Sequence, residues 1–75
     1  MKDLVEYIAK SLVDEPENVS VREVVSQQSV ILQLKVAPGD MGKIIGKEGR
    51  VAKAMRSLLK VAAARERKRV TLEIA

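Results

Sequence analysis

Four glycines lie within eleven residues near the middle of this 75-residue chain, and they limit how far a regular element can extend there. They are Gly39, Gly42, Gly46 and Gly49. Before Gly46 there is room for little more than one turn of helix, over Met41 to Ile45, with Asp40 as a candidate N-cap. A long helix follows from Arg50. The pattern therefore predicts a short helix, a glycine turn and a long helix in direct succession.

Hydrophobic periodicity assigns the rest of the chain. Apolar residues recur at helical spacing over residues 3–13, and Pro16 is expected to end that helix just after them. An imperfectly alternating strand is predicted from Val19 to Val25, and a cleanly alternating strand from Val30 to Val36. A last alternating strand follows over residues 69–74. The short connection between the first two strands favours antiparallel pairing, whereas the pattern leaves open whether the last two strands are adjacent.

This order of elements predicts an α+β fold. Helix, strand, strand, helix, helix and strand can form a two-layer sandwich, in which a three-stranded sheet carries the helices on one face. The chain, residues 1–75, has room for a single domain only. A domain of this size buries only about 60% of its unfolded surface, so a partner subunit would add stability.

The long helix carries more apolar surface than one sheet needs. On a helical wheel, one apolar arc is predicted to face the core, and it contains Val51, Ala54, Met55, Leu58, Val61 and Ala62. A neighbouring stripe of mostly small residues is predicted to contact a second chain in a dimer, and it contains Ala52, Met55, Leu59 and Ala63. The alternative is a helix that is simply rich in good helix formers.

Charge is divided unevenly between the two halves of the chain. Residues 1–41 carry 4 basic and 7 acidic side chains, whereas residues 42–75 carry 10 basic and 3 acidic ones. The C-terminal half therefore has a net charge of +7 against −3 for the N-terminal half. This asymmetry indicates an anionic partner for the C-terminal half, and an ordinary solvated face is the alternative.

The composition excludes most catalytic and metal chemistry. The chain has no Cys and no His, so it lacks the usual nucleophile, general base and metal ligands. We therefore expect no enzyme, no metal site and no cofactor. No apolar run approaches the length of a signal-peptide core or a membrane span, and we expect a soluble cytoplasmic protein with no membrane partner.

The glycine segment can be compared with three phosphate-binding patterns. A Walker A loop fails, because Met41 and Glu48 stand where it needs Gly and Ser or Thr. A dinucleotide fingerprint fails, because Ile44 stands two positions before Gly46. The third pattern is Gly-x-x-Gly, from Gly46 to Gly49, between two helices. Without Cβ atoms there, a phosphodiester can approach main-chain amides at the start of the next helix, and a plain structural corner is the alternative.

Charged residues surround this turn. Lys47 places a point charge at its tip, and Arg50 and Lys53 continue the positive line along the long helix. Glu48 is expected to serve the positive end of the helix rather than a ligand.

The run from Ile44 to Arg56 resembles the signature of the KH domain, and the element order resembles the type II KH topology over essentially the whole chain. As a stand-alone domain, the chain is similar to the small bacterial single-domain KH RNA-binding proteins of the KhpA type. The resemblance implies a non-catalytic protein whose shallow groove holds about four nucleotides of single-stranded RNA, with the loop clamping the backbone. It also implies a post-transcriptional regulator or RNA chaperone that forms a homodimer, or a heterodimer with another KH-domain protein.

The resemblance assigns the binding residues position by position. The predicted RNA-binding residues are Lys43, Ile44, Ile45, Gly46, Lys47, Glu48, Gly49, Arg50 and Lys53. Among them Ile44 and Ile45, together with Val51, would give apolar support or a groove wall. Ala52 stands where many KH domains have a larger aliphatic residue, which leaves the shape of the groove floor open. The competing interpretation is a protein-interaction module with a purely structural glycine loop.

Overall fold

The computed structural model describes all 75 residues. Three helices and three strands follow the predicted order, and they are α1 (Lys2–Leu12), β1 (Ser20–Val25), β2 (Ser29–Lys35), α2 (Met41–Ile45), α3 (Arg50–Arg65) and β3 (Arg69–Ile74). Single turns of 3-10 helix lie at Pro16–Asn18, Pro38–Asp40 and Lys47–Gly49. The α+β class and the order of elements predicted from periodicity are confirmed. No helix combines the length and the apolarity needed to cross a membrane.

The three strands form one mixed sheet with β2 at its centre. β1 pairs with β2 in the antiparallel sense, as its short connection predicted. β3 pairs with β2 in the parallel sense, so Leu32 lies between Glu23 on one side and Leu72 on the other. A parallel pair needs a crossover connection, and α2 and α3 supply it. This pairing answers the question of adjacency that the sequence pattern left open.

Two serines close the hairpin between β1 and β2. The backbone N–H of Ser26 donates to the carbonyl oxygen of Ser29 at 2.8 Å. The backbone N–H of Ser29 donates to the Ser26 hydroxyl oxygen at 3.1 Å, and the two hydroxyl oxygens are 2.7 Å apart. These side-chain bonds to the backbone hold the turn without the Asn-Gly sequence that tight hairpins usually require.

The helices cover one face of the sheet. The buried residues of β2 alternate along the strand and are Val30, Leu32 and Leu34. They meet Val5 and Ala9 of α1 and the buried side of α3 in one core. The other face of the sheet is open, and along it Gln33 Nε2 donates to Glu73 Oε1 at 3.0 Å. The helices therefore form a single layer on one side of the sheet.

The face of α3 that packs on the sheet differs from the predicted one. Its buried residues are Ala52, Met55, Leu59 and Ala63, which are at most 3% exposed. These four were predicted to contact a second chain, and that prediction is wrong because they are enclosed by their own sheet. Met55, which the predicted core arc also contained, is in the core as that arc required. The predicted core residues Leu58 and Val61 are instead 52% and 59% exposed.

Helix-to-sheet distance explains which face of α3 is buried. Ala52 and Ala63 at the two ends let the helix lie close to the sheet, while Met55 and Leu59 fill the space between. The positions of the basic residues also mark this face. On a helical wheel of α3, Arg65 and Arg56 bound an arc that contains no Lys or Arg, and all four buried residues lie within it. Counting bulky apolar side chains alone therefore gave the wrong face.

Asp40 joins the end of α1 to the start of α2. It occupies the N-cap position of α2 as predicted, but its side chain makes no capping hydrogen bond there. Its carboxylate, in a residue only 3% exposed, accepts the backbone N–H of Asp14 at 3.2 Å and that of Glu15 at 3.1 Å. A buried carboxylate must be satisfied in this way, so Asp40 fixes α2 relative to the segment that follows α1.

Candidate nucleic-acid interface

The turn between α2 and α3 is built from left-handed backbone. Gly46 has φ 78° and ψ 174°, Glu48 has φ 57° and ψ 25°, and Gly49 has φ 74° and ψ 14°. The Gly46 N–H donates to the Gly42 carbonyl oxygen at 2.8 Å and ends α2. The Gly49 N–H donates to the Gly46 carbonyl oxygen at 3.2 Å. Glycine allows positive φ at little cost at Gly46 and Gly49, and Glu48 adopts it between them, so the chain turns from one helix into the next within four residues.

Gly46 is required by packing within the protein. A Cβ atom at this position would lie 2.8 Å from Val51 Cβ and 2.9 Å from Val51 N, closer than real side chains approach. The space that a Gly46 side chain would fill is therefore taken by the first turn of α3. The side of Gly46 that a Cβ would occupy therefore offers no space to a phosphodiester, and a contact of RNA with the rest of this half-exposed residue stays a prediction.

Gly49 has the opposite surroundings. No atom lies within 4 Å of the place where its Cβ would be. Gly49 is also the N-cap residue of α3, and no side chain caps that helix end. The open corner predicted from the Gly-x-x-Gly spacing is therefore present at its second glycine, directly against the positive end of a helix.

The first turn of α3 carries cations and no acid. Arg50 and Lys53 stand there, and a cation at a helix N-terminus opposes the helix dipole by about 0.3–1 kcal/mol. This arrangement disfavours the isolated helix and favours an anion bound beside it. Lys47, at the exposed tip of the turn, adds a third positive charge and belongs to none of the ion pairs of the molecule.

Glu48 lies among these cations and pairs with one of them. Its Oε2 is 3.4 Å from Arg50 Nη2, and both side chains are well exposed. An exposed pair of this kind contributes little to stability. Glu48 thus lowers the local positive charge near Arg50 and leaves Lys47 and Lys53 without an acidic partner.

Lys43 faces away from the open corner. Its ammonium pairs with Asp14 and lies 3.9 Å from Asp40 Oδ1. The hydrogen bond with Asp14 raises the pKa of Lys43 above its ordinary value, and the charges of both carboxylates act in the same direction. Lys43 is therefore charged at neutral pH but already partnered by the segment that follows α1. Sequence reasoning missed this pairing, because residues 14 and 43 are far apart in the chain and no local pattern joins them.

The isoleucines of α2 divide into two roles. Ile44 is fully buried in the core. The prediction that it contacts RNA is therefore wrong, and Ile44 can only support the turn from inside the core. Ile45 and Val51 are half-buried on either side of the turn. These two side chains are the apolar surface that the turn leaves accessible beside its cations.

Comparison with known proteins decides the family. The family model described as "KhpA/KhpB, KH domain" matches residues 2–74. The chain belongs to this KH family. The type II KH topology inferred from the element order agrees with the mixed three-stranded sheet of the structure. No solved structure matches the chain.

Similar proteins of the KhpA/KhpB family come from several bacteria. The RNA-binding protein KhpA of Clostridium perfringens is 62% identical over 74 residues, which cover 99% of each chain. The protein of the same name from Clostridium acetobutylicum is 64% identical over 74 residues, again 99% of each chain. That of Caldanaerobacter subterraneus is 58% identical with the same coverage. The likeness therefore extends over the whole chain and includes the turn.

The two glycines of the turn are expected to respond differently to alanine. Gly46→Ala forces a Cβ against Val51 in a left-handed backbone, and we expect a loss of about 3 kcal/mol or more in the free energy of unfolding. Gly49→Ala meets no neighbour and should lose only the about 1–2 kcal/mol of left-handed backbone strain. Urea unfolding followed by circular dichroism measures both.

Val51→Ala provides the matched control. Combined with Gly46→Ala, it should recover part of the lost stability, because the clashing methyl groups are removed. Equal losses for the two glycine variants, with no recovery in the Val51→Ala background, would show that Gly46 does not support the packing described above.

Proposed function

We propose that the chain is a non-catalytic protein that binds single-stranded RNA and clamps the backbone of about four nucleotides at the turn of residues 46–49. One observation carries this proposal: the open left-handed corner at Gly49 directly precedes a helix end with no side-chain cap and no acid in its first turn. The name RNA-binding protein KhpA, which the relatives bear, points to the same ligand.

The proposed clamp combines main-chain and side-chain donors. Amides at the start of α3 point toward the space beside Gly49, where the helix dipole favours a phosphate. Lys47, Arg50 and Lys53 add charges that attract further phosphates along the strand. An amide held at the start of a helix has no side-chain rotamers to lose and does not titrate, so this part of the clamp is preorganised and independent of base sequence.

The bases are proposed to lie against aliphatic side chains. Ile45 and Val51 form the accessible apolar surface beside the turn, and the only aromatic residue of the chain, Tyr7, is on α1. Aliphatic walls give shape selection without the stacking energy that aromatic RNA-binding folds obtain. Sequence discrimination should therefore be modest, which suits a cytoplasmic post-transcriptional regulator or RNA chaperone with many RNA targets.

The competing proposal is a protein-interaction module in which the loop is structural. The contact between Gly46 and Val51 partly supports the protein-interaction module, because packing between α2 and α3 is enough to require a glycine at position 46. Gly49 is not explained in this way, because nothing occupies the space beside it. The unpaired cations Lys47 and Lys53 favour RNA over a structural corner.

Charge reversal at the tip tests the clamp. The double variant Lys47→Asp, Glu48→Asp places a negative charge beside the proposed phosphate and retains a residue that tolerates left-handed backbone at position 48. We expect RNA affinity to fall at least about tenfold and the slope of log affinity against log salt to fall by about 0.7, the value for one lost phosphate contact. Fluorescence anisotropy with labelled single-stranded RNA measures both.

A control with the same change of net charge is available on α1. Lys2→Asp with Glu17→Asp alters two exposed residues, of which Lys2 begins α1 at the end opposite the Asp14 to Lys43 pair. This control should bind RNA within about twofold of the wild type, since screened charges at such distances act weakly. Equal weakening by the control and by the loop variant would contradict a localised clamp.

A second copy of the chain is proposed to cover the exposed apolar side of α3. Leu58 and Val61 lie one helical turn apart and expose 52% and 59% of their surface. Leu58 and Val61 replace the stripe of small residues, which is buried, as the proposed dimer contact. The physical reason for a dimer is still that a short domain has a small core. A related KH-domain chain offering a similar surface is the heterodimeric alternative.

Two neighbouring leucines separate dimer loss from unfolding. Leu58→Asp should halve the mass in solution while the fold is retained, because this side chain is half-exposed in the single chain. Leu59→Asp should unfold the protein, because an unpaired charge would enter the core. Light scattering measures the mass in solution, and circular dichroism measures whether the fold is retained. A monomeric wild type at about 100 µM, well above a micromolar dissociation constant, would contradict the homodimer.

A further inference from the structure

Glu48 is the exception to the charge of the segment that builds the proposed clamp. From Gly42 to Arg65 the chain has seven basic residues, and Glu48 is its single acidic residue. It lies between the two glycines of the turn and directly after Lys47, where a carboxylate repels a phosphate. Phosphate binding alone therefore gives no reason for a glutamate at this position.

The backbone at position 48 does not require glutamate. Glu48 has φ 57° and ψ 25°, a left-handed conformation that L-residues other than Asn and Asp seldom adopt. Glycine or asparagine would adopt the same conformation with less strain. The chain thus holds a long, charged side chain here against the local preference of the backbone.

Helix capping does not require Glu48 either. The N-cap residue of α3 is Gly49, and no side chain makes a capping hydrogen bond at that helix end. The carboxylate of Glu48 makes a single hydrogen bond, which it accepts from Arg50 Nη2 at 3.4 Å. Its only other contribution to α3 is the attraction between its charge and the helix dipole.

The pair between Glu48 and Arg50 changes the charge of the turn more than the stability of the fold. The Arg50 and Glu48 side chains are 76% and 69% exposed, and an ion pair with this exposure gains little over two hydrated charges. The guanidinium donors of arginine bind carboxylate and phosphate in the same geometry. A phosphate at Arg50 therefore competes with the Glu48 carboxylate for the same donors.

We infer that Glu48 is an internal competitor of the RNA phosphate, which holds Arg50 in the free protein and lowers the affinity of the turn for RNA. This inference rests on the proposed RNA clamp and adds a residue that limits its affinity. In the complex, Arg50 exchanges the Glu48 carboxylate for a phosphate, and Glu48 turns to solvent. Such a clamp binds RNA more weakly than its cations alone would, so it releases one strand sooner and can bind another.

A double-mutant cycle tests the competition, with affinities measured by fluorescence anisotropy of a labelled four-nucleotide single-stranded RNA. Glu48→Gln keeps the side-chain shape and should bind about three- to fivefold more tightly, since one unit charge about 6 Å away in water changes affinity about threefold. Arg50→Gln should weaken the wild type less than about twofold, because Arg50 is already paired, but weaken Glu48→Gln about three- to fivefold. The slope of log affinity against log salt should be steeper by about 0.7 in Glu48→Gln, because Arg50 gains a phosphate contact.

Two control variants separate competition from a general effect of charge or of side-chain shape. Glu23→Gln removes the same charge from an exposed, unpaired residue of β1 and should change RNA affinity less than about 1.5-fold. Glu48→Asp keeps the charge and should bind RNA within about twofold of the wild type. Circular dichroism should show the wild-type fold in every variant, because the substituted side chains are exposed.

The outcomes distinguish the competition from the clamp itself. A gain from Glu48→Gln that is the same with and without Arg50, an equal gain from Glu23→Gln, or no gain at all overturns the competition while RNA binding stands. Failure of the wild type to bind the RNA overturns both proposals.

Discussion

The contact between Gly46 and Val51 is the constraint on which the helical layer depends. Because Gly46 has no Cβ atom, which would strike Val51, the start of α3 can pack directly against the end of α2. That close approach directs the next three residues into a turn with two further left-handed positions and leaves Gly49 with open space beside it. The packing of one glycine thus produces the accessibility of the other. In this sense the proposed RNA clamp is a consequence of how two helices meet.

Several acidic side chains are paired with groups of the protein itself. Asp40 is buried and accepts hydrogen bonds from the backbone of the segment after α1. Asp14 forms an ion pair with Lys43. Glu48 partners Arg50 at the surface. On α3, Lys53, Arg56 and Lys60 lie along one side of the helix and belong to no ion pair. A field of one sign along a continuous surface attracts an extended polyanion and speeds its association.

Much of this structure could be predicted from the sequence. Strong local signals specified the element order: the alternation of Val30 to Val36, the glycines, and the helical spacing on α1. The buried face of α3 could not be chosen from hydrophobicity, because apolar residues surround more of that helix than the sheet covers. Small residues at Ala52 and Ala63 decide the face through packing distance, and that is a tertiary property. The inward role of Gly46 and the pairing of Lys43 with Asp14 likewise depend on contacts between segments distant in sequence.

In the proposed complex, a nucleic-acid backbone lies against the start of α3 at Gly49. A titration of ¹⁵N-labelled protein with unlabelled four-nucleotide single-stranded RNA, followed by amide chemical shifts, tests it most directly. We expect the largest chemical-shift changes on the amides of residues 47–53 and none on the amides of the open sheet face. Changes confined to the sheet face, or to the surface around Leu58 and Val61, with residues 47–53 unmoved, would contradict it.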